Sequence, residues 1–173
     1  MMNLVIFAIR CAIAVFIIRF HVNRYHLEYN TVAVQLNRLT EPLTLPFSKM
    51  LPKNQRFDWA ALIVAAIIAV LGGWVLTSSL LLSLPFGIIF FLCTTWLLVT
   101  MYAIFIIVIA SWLQVPQQQM FLQVAVVCTQ WLMQPLQRLI PSVAGLDFSP
   151  IVALFAISFV NTSMMKLLSA LFL

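Results

Sequence analysis

Four long apolar runs alternate with shorter polar stretches along the chain. The runs cover residues 3–22, 59–84, 86–113 and 150–173. Each run reaches or exceeds the roughly 20 residues that an α-helix needs to cross about 30 Å of hydrocarbon. Because no water satisfies backbone groups inside a bilayer, each run predicts a transmembrane helix. The pattern therefore predicts an all-α membrane protein with four transmembrane helices.

Two linkers, one between the first and second runs and one between the third and fourth, mix apolar and polar residues. Residues 31–39 and 120–133 are apolar enough to lie in the headgroup region, but their amides, Arg38 and nearby prolines disfavour a crossing. Both stretches are predicted to form interfacial or re-entrant helices. Residues 120–133 are the stretch for which entry into the membrane is the alternative. Because a proline inside a helix costs about 3 kcal/mol, the linkers are expected to break into short pieces. The prolines concerned are Pro42, Pro46, Pro52, Pro135 and Pro141.

Small residues and a proline mark the passage from the second run to the third. Gly72 and Gly73 predict either a kink or the close approach of a neighbouring helix. Pro85 predicts the turn between the two runs.

The chain contains one polar segment twice. An offset of 89 positions aligns LTLPFSKMLPKNQRFDW, residues 43–59, with LMQPLQRLIPSVAGLDF, residues 132–148, without a gap. The aligned pairs include Pro46 with Pro135, Lys49 with Arg138, Pro52 with Pro141 and Asp58 with Asp147. This predicts a duplication into halves at residues 1–85 and 86–173. Each half has two crossings, so the halves would form a parallel tandem repeat.

Each copy of the segment ends at the start of a span, where its polar residues can cap the helix. In GLDFSP, Ser149 is expected to cap a helix whose first residue is Pro150. Asp147 places negative charge near the positive end of that helix dipole, and Asp58 is expected to act in the same way for the second span.

A basic residue precedes each aspartate by nine positions. We therefore hypothesise the ion pairs Lys49–Asp58 and Arg138–Asp147, with the intervening prolines folding the chain back. The alternative is a helix cap with a solvated cation nearby, since exposed pairs contribute only about 0 to 1 kcal/mol.

Composition agrees with a membrane protein. Hydrophobic residues make up 64% of the chain and charged residues 8%, whereas soluble domains carry roughly a quarter charged residues. The net charge is +5, and the basic residues flank the apolar runs. Anionic lipid and membrane topology explain this placement better than nucleic-acid binding does. The three cysteines lie far apart in apolar surroundings and are predicted to be packing residues. The first run lacks a basic leader and a cleavage site, so it is expected to remain as a transmembrane helix.

Lysine and arginine placement predicts the orientation. The linkers hold Arg24, Arg38, Lys49, Lys53, Arg56 and Arg138, whereas the turn TSSLLLSLP carries no cation. By the positive-inside rule, both linkers are expected in the cytoplasm and both termini in the periplasm.

Two stretches of the chain resemble the YggT family of bacterial inner-membrane proteins. They are SWLQVPQQQMFLQVAVVCTQWLMQPLQRLIPSVAGLDFSPIVAL, in which RLIP is followed by GLDFSP with Gly145, and NRLTEPLTLPFSKMLPKNQRFDWAALI. The resemblance covers nearly the whole chain as two copies of the family domain. It implies a small multi-pass protein without established catalytic activity, associated with cell division, envelope organisation and osmotic tolerance. Plastid relatives are linked to nucleoid partition and cytochrome assembly.

The first copy departs from the family pattern, and no catalytic residues come with the resemblance. KNQRFDWAA lacks the glycine and the Ser-Pro pair of the second copy, which leaves open whether both halves share one role. The chain's four glycines form no phosphate-binding loop. His21 and His26 fall on different helix faces, and nothing places a nucleophile beside a base. No enzyme activity, metal or cofactor is predicted.

Three polar residues lie within the predicted spans. Arg10 and Lys166 are each expected about 10 Å from a membrane surface, a depth that snorkelling relieves in part. With Asn161 they could line a water-filled vestibule, or they could be structural. Arg19 is expected to be an anchor near the cytoplasmic end of its span.

The sequence thus favours a non-catalytic scaffold or organising factor in the bacterial inner membrane. Its predicted role concerns cell division, envelope assembly or osmotic stress, and its predicted partners are the lipid bilayer, unidentified membrane or cytoplasmic proteins, and further copies of itself. The alternatives are a small channel or ion-uptake accessory protein and a cofactor-assembly factor.

Overall fold

The computed structural model describes residues 2–27, 29–51, 57–116, 118–140 and 147–172. Seven α-helices and one π-helical segment make up this part of the chain, and no strand occurs in it. They are α1 (Met2–Arg24), α2 (Thr31–Met50), α3 (Trp59–Thr77), α4 (Leu80–Phe86), the π-helical segment Gly87–Cys93, α5 (Thr94–Trp112), α6 (Met120–Leu139) and α7 (Ser149–Phe172).

Four helical stretches are long and apolar enough to cross a membrane. They are Met2–Arg24, Trp59–Thr77, Leu81–Trp112 and Ser149–Ala170. Their number and order are those predicted from the apolar runs, and the prediction of an all-α membrane protein with four candidate spans is confirmed. α2 and α6 are the helices of the two linkers.

The turn between the second and third spans lies before Pro85, which corrects the predicted position. α3 ends at Thr77, and Ser78 follows it in the left-handed region with φ 52°. The next helix, α4, then starts at Leu80, so Pro85 lies inside it. Pro85 is the sixth residue of this helix, its missing N–H removes one backbone hydrogen bond, and the π-helical segment starts two residues later. The predicted boundary between the halves falls within this continuous helix.

Backbone packs directly on backbone where α3 crosses the third span. A Cβ atom added at Gly73 would lie 2.9 Å from the Cα of Gly87, and one added at Gly87 would meet the carbonyl of Ala69 and the Cα of Val70. Only glycine permits an approach this close. Of the two predicted roles for the glycine pair, the structure shows the close neighbour.

The largest core cluster joins α1, α3 and the π-helical segment. Bulky side chains come from α1 and from the π-helical segment, whereas α3 contributes mostly alanines, which let the helices approach closely. The buried members are Ile13, Phe16, Ile17, Phe20, Ala61, Val64, Ala65, Ala69 and Phe91. This packing brings the end of α1 next to the start of α3, where the polar residues described below lie.

Both linker helices are continuous, which shows that the expected breaks at three prolines were wrong. Pro42 and Pro46 lie inside α2, and Pro135 lies inside α6. All three rings are on exposed sides of their helices, where a carbonyl that has lost its N–H partner costs less than it would in the interior. Pro52 and Pro141 lie outside the described residues.

The linker helices correspond across the two halves. The offset of 89 positions that aligns the repeated segment carries Thr31–Met50 onto Met120–Leu139 end to end. It also carries the start of α3, Trp59, to within one residue of Ser149, where α7 begins. The offset can therefore be used to compare equivalent positions in the two halves.

Candidate functional site

Asp58 joins the start of α3 to the end of α1. Its Oδ1 accepts a hydrogen bond from the Ala61 N–H at 3.1 Å, so Asp58 caps α3 as predicted. Its Oδ2 lies 2.9 Å from Nε of Arg19 in an ion pair whose side chains are 12% and 14% exposed. The predicted partner was Lys49, but that residue is exposed at the far end of α2. Asp58 pairs with Arg19 because packing of α1 on α3 brings them together.

The Arg19 guanidinium also binds α2. Its Nη1 donates to the Asn37 carbonyl at 3.0 Å and to Thr40 Oγ1 at 2.6 Å. Thr40 is buried. A planar guanidinium has several donors in a fixed geometry, which is how one arginine can join three helices. Arg19 is therefore more than the interfacial anchor that the sequence suggested.

Two asparagines extend this arrangement. Asn23 Nδ2 donates to Asp58 Oδ2 at 2.6 Å, and Asn37 Nδ2 donates to Asn23 Oδ1 at 2.8 Å. We call Arg19, Asn23, Asn37, Thr40 and Asp58 the Arg19 network. One signal was available in the sequence, since Arg19 and Asn23 are four residues apart and so share a helix face. Which acceptors they meet depends on the packing of α1 against α2 and α3.

Asp147, the counterpart of Asp58, has a different environment. It is exposed, its Oδ1 accepts the Ser149 N–H at 2.9 Å, and its Oδ2 accepts from Gln137 Nε2 at 2.9 Å. Hydrogen bonding from Ser149, and to a lesser extent from Gln137, lowers the pKa of the Asp147 carboxyl.

Two expectations at this position are corrected. α7 begins at Ser149, so Asp147 and not Ser149 supplies the side-chain oxygen that caps it, and Pro150 is the second residue of the helix. Within the described residues Arg138 forms no ion pair with Asp147; it is exposed on α6, and its neighbour Gln137 binds the carboxylate instead. Gly145 lies outside the described residues.

Asn30 links the two linker helices. Its side-chain oxygen caps α2 by accepting the N–H groups of Val32 and Ala33 at 3.0 and 3.3 Å. Its Nδ2 donates to the Met120 carbonyl at 3.0 Å and to Gln123 Oε1 at 2.9 Å at the start of α6. One buried asparagine therefore both starts α2 and ties it to the second half.

Replacing Asn30 should separate these two functions. Asn30→Ala removes both the cap and the link and is expected to lower the unfolding free energy by about 2 kcal/mol. The lost helix cap contributes about 1 kcal/mol, and the lost hydrogen bonds to α6 contribute the rest. Asn30→Ser keeps a capping oxygen but is too short to reach Met120, so about half of that loss is expected. Unfolding in mixed micelles measures both. Equal losses in the two variants would contradict a separate link.

The exposed sides of α2 and α6 each carry large apolar and basic side chains. We call these two exposed sides together the linker face, defined by Arg38, Leu39, Leu43, Lys49, Met50, Arg138 and Leu139, all of which are exposed. Leu39 and Leu139 are each 78% exposed. Such a mixture is typical of surfaces in contact with lipid headgroups or another protein.

The two histidines have different environments, His21 inside the bundle and His26 exposed. His21 is buried, with its ring against Phe20 and 5.0 Å from that of Trp96. His26 lies in the turn after α1 with φ 55°. Over the described ranges, no group of three histidine, cysteine, aspartate or glutamate residues is placed to hold a metal ion.

The three polar residues predicted inside spans have separate surroundings. The Arg10 guanidinium lies 4.8 Å from the centre of the Phe90 ring, Asn161 is half-buried, and Lys166 is exposed. In the part of the chain that the structure describes, no hydrogen bond or ion pair joins them. Arg10 Nε and Asn161 Oδ1 are both buried without a hydrogen-bond partner there.

Fold and site together define a multi-pass helical membrane protein in which two span–linker–span units pack side by side. A family model described as CCB3/YggT matches residues 1–79 and residues 86–168, so the chain belongs to the CCB3/YggT family and contains two copies of the matched domain. No solved structure matches the chain.

Relatives occur in several bacteria. An uncharacterized protein of Haemophilus influenzae is 30% identical over 151 residues, which cover 84% of this chain and 80% of that protein. The uncharacterized protein YggT of Escherichia coli K12 is 27% identical over 149 residues, covering 82% and 76%. The uncharacterized protein PA0392 of Pseudomonas aeruginosa is 26% identical over 156 residues, covering 83% and 76%.

Proposed function

We propose that this chain is a non-catalytic scaffold of the bacterial inner membrane that holds other proteins against the bilayer through its linker face. The observation that carries the proposal is the combination of exposed leucines with Arg38, Lys49 and Arg138 on two helices fixed to the bundle. The exposed sides of α2 and α6 carry three basic side chains, Arg38, Lys49 and Arg138, and one carboxylate, Glu41. This excess of positive charge suits anionic headgroups and acidic protein surfaces.

The Arg19 network and Asn30 support this role because they hold the linker face in place. An interfacial helix joined only by loops would move independently, whereas α2 is bonded through its side to α1 and through its start to α6. A rigid surface loses less entropy when a partner binds. The family resemblance connects the role with cell division, envelope assembly or osmotic stress.

Orientation and self-association are part of the proposal. We place the linker face in the cytoplasm and both termini in the periplasm, following the positive-inside rule. Copies of the chain would meet along α7, whose exposed side carries Phe155 and Phe159, each 75% exposed.

Labelling of single cysteines tests the orientation. In a variant lacking Cys11, Cys93 and Cys128, a cysteine at Lys49 or Arg138 should react with a membrane-impermeant maleimide in inverted vesicles and stay unreacted in spheroplasts. A cysteine at Ser78, in the turn between α3 and α4, is the matched control and should show the opposite pattern. Reaction at Lys49 from the periplasmic side would contradict the proposed orientation.

Photo-crosslinking in intact cells tests the scaffold role. A photoreactive residue at Leu39 or Leu139 is expected to give the same discrete protein adducts, because both side chains belong to the linker face. Leu4, 75% exposed on α1, is the control and should give none of them. If no protein adduct forms at either linker position, or if Leu4 captures the same proteins, the scaffold role is wrong.

A small channel or ion-uptake accessory protein is the second candidate function. The buried Arg10 Nε and Asn161 Oδ1 favour it, because polar atoms without partners inside a bundle are where water or ions would enter. Arg10→Leu distinguishes the two. Lost ion flux with unchanged crosslinking from Leu39 supports a channel, and unchanged flux supports the scaffold.

A further inference from the structure

A cleft of about 300 Å³ lies between α5, α6 and α7 in the second half. Its walls include apolar side chains from α5 and α6 and a row of amides on α6, Gln130, Gln134 and Gln137. Its size is at the small end of ligand pockets, which range from about 300 to 1,000 Å³. Gln137 also donates to Asp147 Oδ2 at 2.9 Å, so this carboxylate is bonded to a residue that lines the cleft.

The cleft occupies the position that the Arg19 side chain fills in the first half. By the offset of 89 positions, Arg19 corresponds to Val108, and Val108 lines the cleft. The second half therefore lacks the cation of the Arg19 network and has a cavity at the corresponding position. Valine is too short to fill the space of an arginine.

Of the three groups that accept hydrogen bonds from Arg19, two have counterparts that line the cleft. The Asn37 carbonyl corresponds to that of Val126, and Thr40 corresponds to Thr129; both counterparts line the cleft. Thr129 Oγ1 donates to the Val126 carbonyl at 2.8 Å, as Thr40 Oγ1 donates to the Asn37 carbonyl at 3.3 Å.

The third acceptor is the carboxylate, where Asp58 corresponds to Asp147. In the first half Asp58 binds a cation at 2.9 Å. In the second half Asp147 forms no ion pair among the described residues, and the neutral amide of Gln137 takes the place of the cation. The acceptors for a guanidinium are thus retained, while the arginine itself is absent.

We propose that the cleft binds an alkylguanidinium group supplied from outside the chain, either the side chain of an arginine in another polypeptide or a free guanidine compound. Its guanidinium would bind Asp147, Thr129 and the Val126 carbonyl, as Arg19 binds their counterparts. Its methylene chain would lie against Ile104 and Met133, which line the cleft. This goes beyond the proposed scaffold role and does not depend on the orientation in the membrane.

Binding to the purified full-length chain in nanodiscs tests the proposal, with agmatine as the probe and equilibrium dialysis as the measurement. Saturable binding of agmatine is expected. Asp147→Asn should weaken it about tenfold or more, because a charge-assisted hydrogen bond is lost. Glu41→Gln, which neutralises an exposed carboxylate on α2, is the matched control and should leave binding unchanged.

Val108→Arg provides an independent readout. Its own guanidinium should occupy the cleft as Arg19 does in the first half, abolishing agmatine binding and raising the unfolding temperature. Val108→Arg changes a residue within a candidate span, and this variant could fail to insert. In that case the comparison of the natural chain with Asp147→Asn, at an exposed position, decides the test. Absence of saturable agmatine binding to the natural chain, or equal binding by Asp147→Asn, would overturn the proposal.

Two further probes define the ligand. 1,4-Diaminobutane has the same alkyl chain and the same two positive charges as agmatine, with an ammonium group in place of the guanidinium, and it should bind more weakly because it lacks the planar donors. Equal affinity for 1,4-diaminobutane would overturn the guanidinium assignment. The tripeptide Ala-Arg-Ala separates the two sources: binding as tight as that of agmatine supports an arginine side chain, and much weaker binding supports a free guanidine compound.

Discussion

Replacing Arg19 with methionine is expected to lower the unfolding free energy by about 3 kcal/mol, because it leaves the Asp58 carboxylate mostly buried and without its cation. Methionine keeps most of the apolar volume of the arginine stem, so the loss reports charge and hydrogen bonds. Unfolding of the purified protein by a denaturing detergent in mixed micelles measures it. Arg38→Met, at an exposed position on α2, is the matched control and should change stability by less than about 0.5 kcal/mol.

A double-mutant cycle isolates the ion pair. Asp58→Asn alone should destabilise the protein while keeping an oxygen that can cap α3. Combined with Arg19→Met it should cost clearly less than the sum of the single changes, with a coupling energy of about 1 to 3 kcal/mol. Additive effects, or an Arg19→Met loss as small as that of Arg38→Met, would show that the Arg19 network does not hold α1, α2 and α3 together.

Gly87→Ala is the second change with a large expected effect. The added methyl group would overlap the Ala69 carbonyl and the Val70 Cα, which are backbone atoms that cannot rotate away. α3 and the third span must then separate, and a loss of about 3 kcal/mol or more is expected. The same detergent titration measures it, and faster proteolysis of the turn around Ser78 should accompany the loss.

Gly72→Ala provides the comparison. There the methyl group would meet side-chain atoms of Ile9 and Phe91 at 3.0 Å, which can shift slightly, and alanine gains up to about 1 kcal/mol of helix propensity over glycine. A change of less than about 1 kcal/mol is expected. If both alanine variants were equally stable, the close crossing at Gly73 and Gly87 would not be essential to the fold.

The Arg19 network and the cleft at Val108 suggest how duplicated halves can diverge. One half keeps the arginine and uses it internally to fix a linker helix. The other half has the corresponding acceptors but Val108 in place of the arginine. On the proposal above, an external guanidinium takes that place, and a difference in one side chain converts a stabilising interaction into a binding site.

The four spans could be predicted from the sequence because they depend on local composition. A run of apolar residues such as 3–22 must form a helix in a bilayer whatever its neighbours are, since its backbone has no other hydrogen-bond partners. The cap at Asp58 was predictable for the same reason, because capping involves residues only three positions apart. The register of the repeat was also visible, and it carries one linker helix onto the other.

The contacts between helices could not be predicted in this way. Lys49 is closer to Asp58 in sequence than Arg19 is, yet Arg19 forms the ion pair because the alanines of α3 allow α1 to pack against it. The breaks at Pro42 and Pro135 did not occur, because packing of the other helix side outweighs one lost hydrogen bond on the exposed side.

By itself the sequence determined the helical class, the number of candidate spans, the two copies of the polar segment and the aspartate at the start of each copy's second span. Only the tertiary structure decided which cation meets Asp58, where the second turn lies, that α2 and α6 run unbroken, and that a cleft replaces Arg19 in the second half. The physical reason is range: hydrophobicity and capping act over a few residues, whereas ion pairs and cavities depend on side chains that only packing brings together.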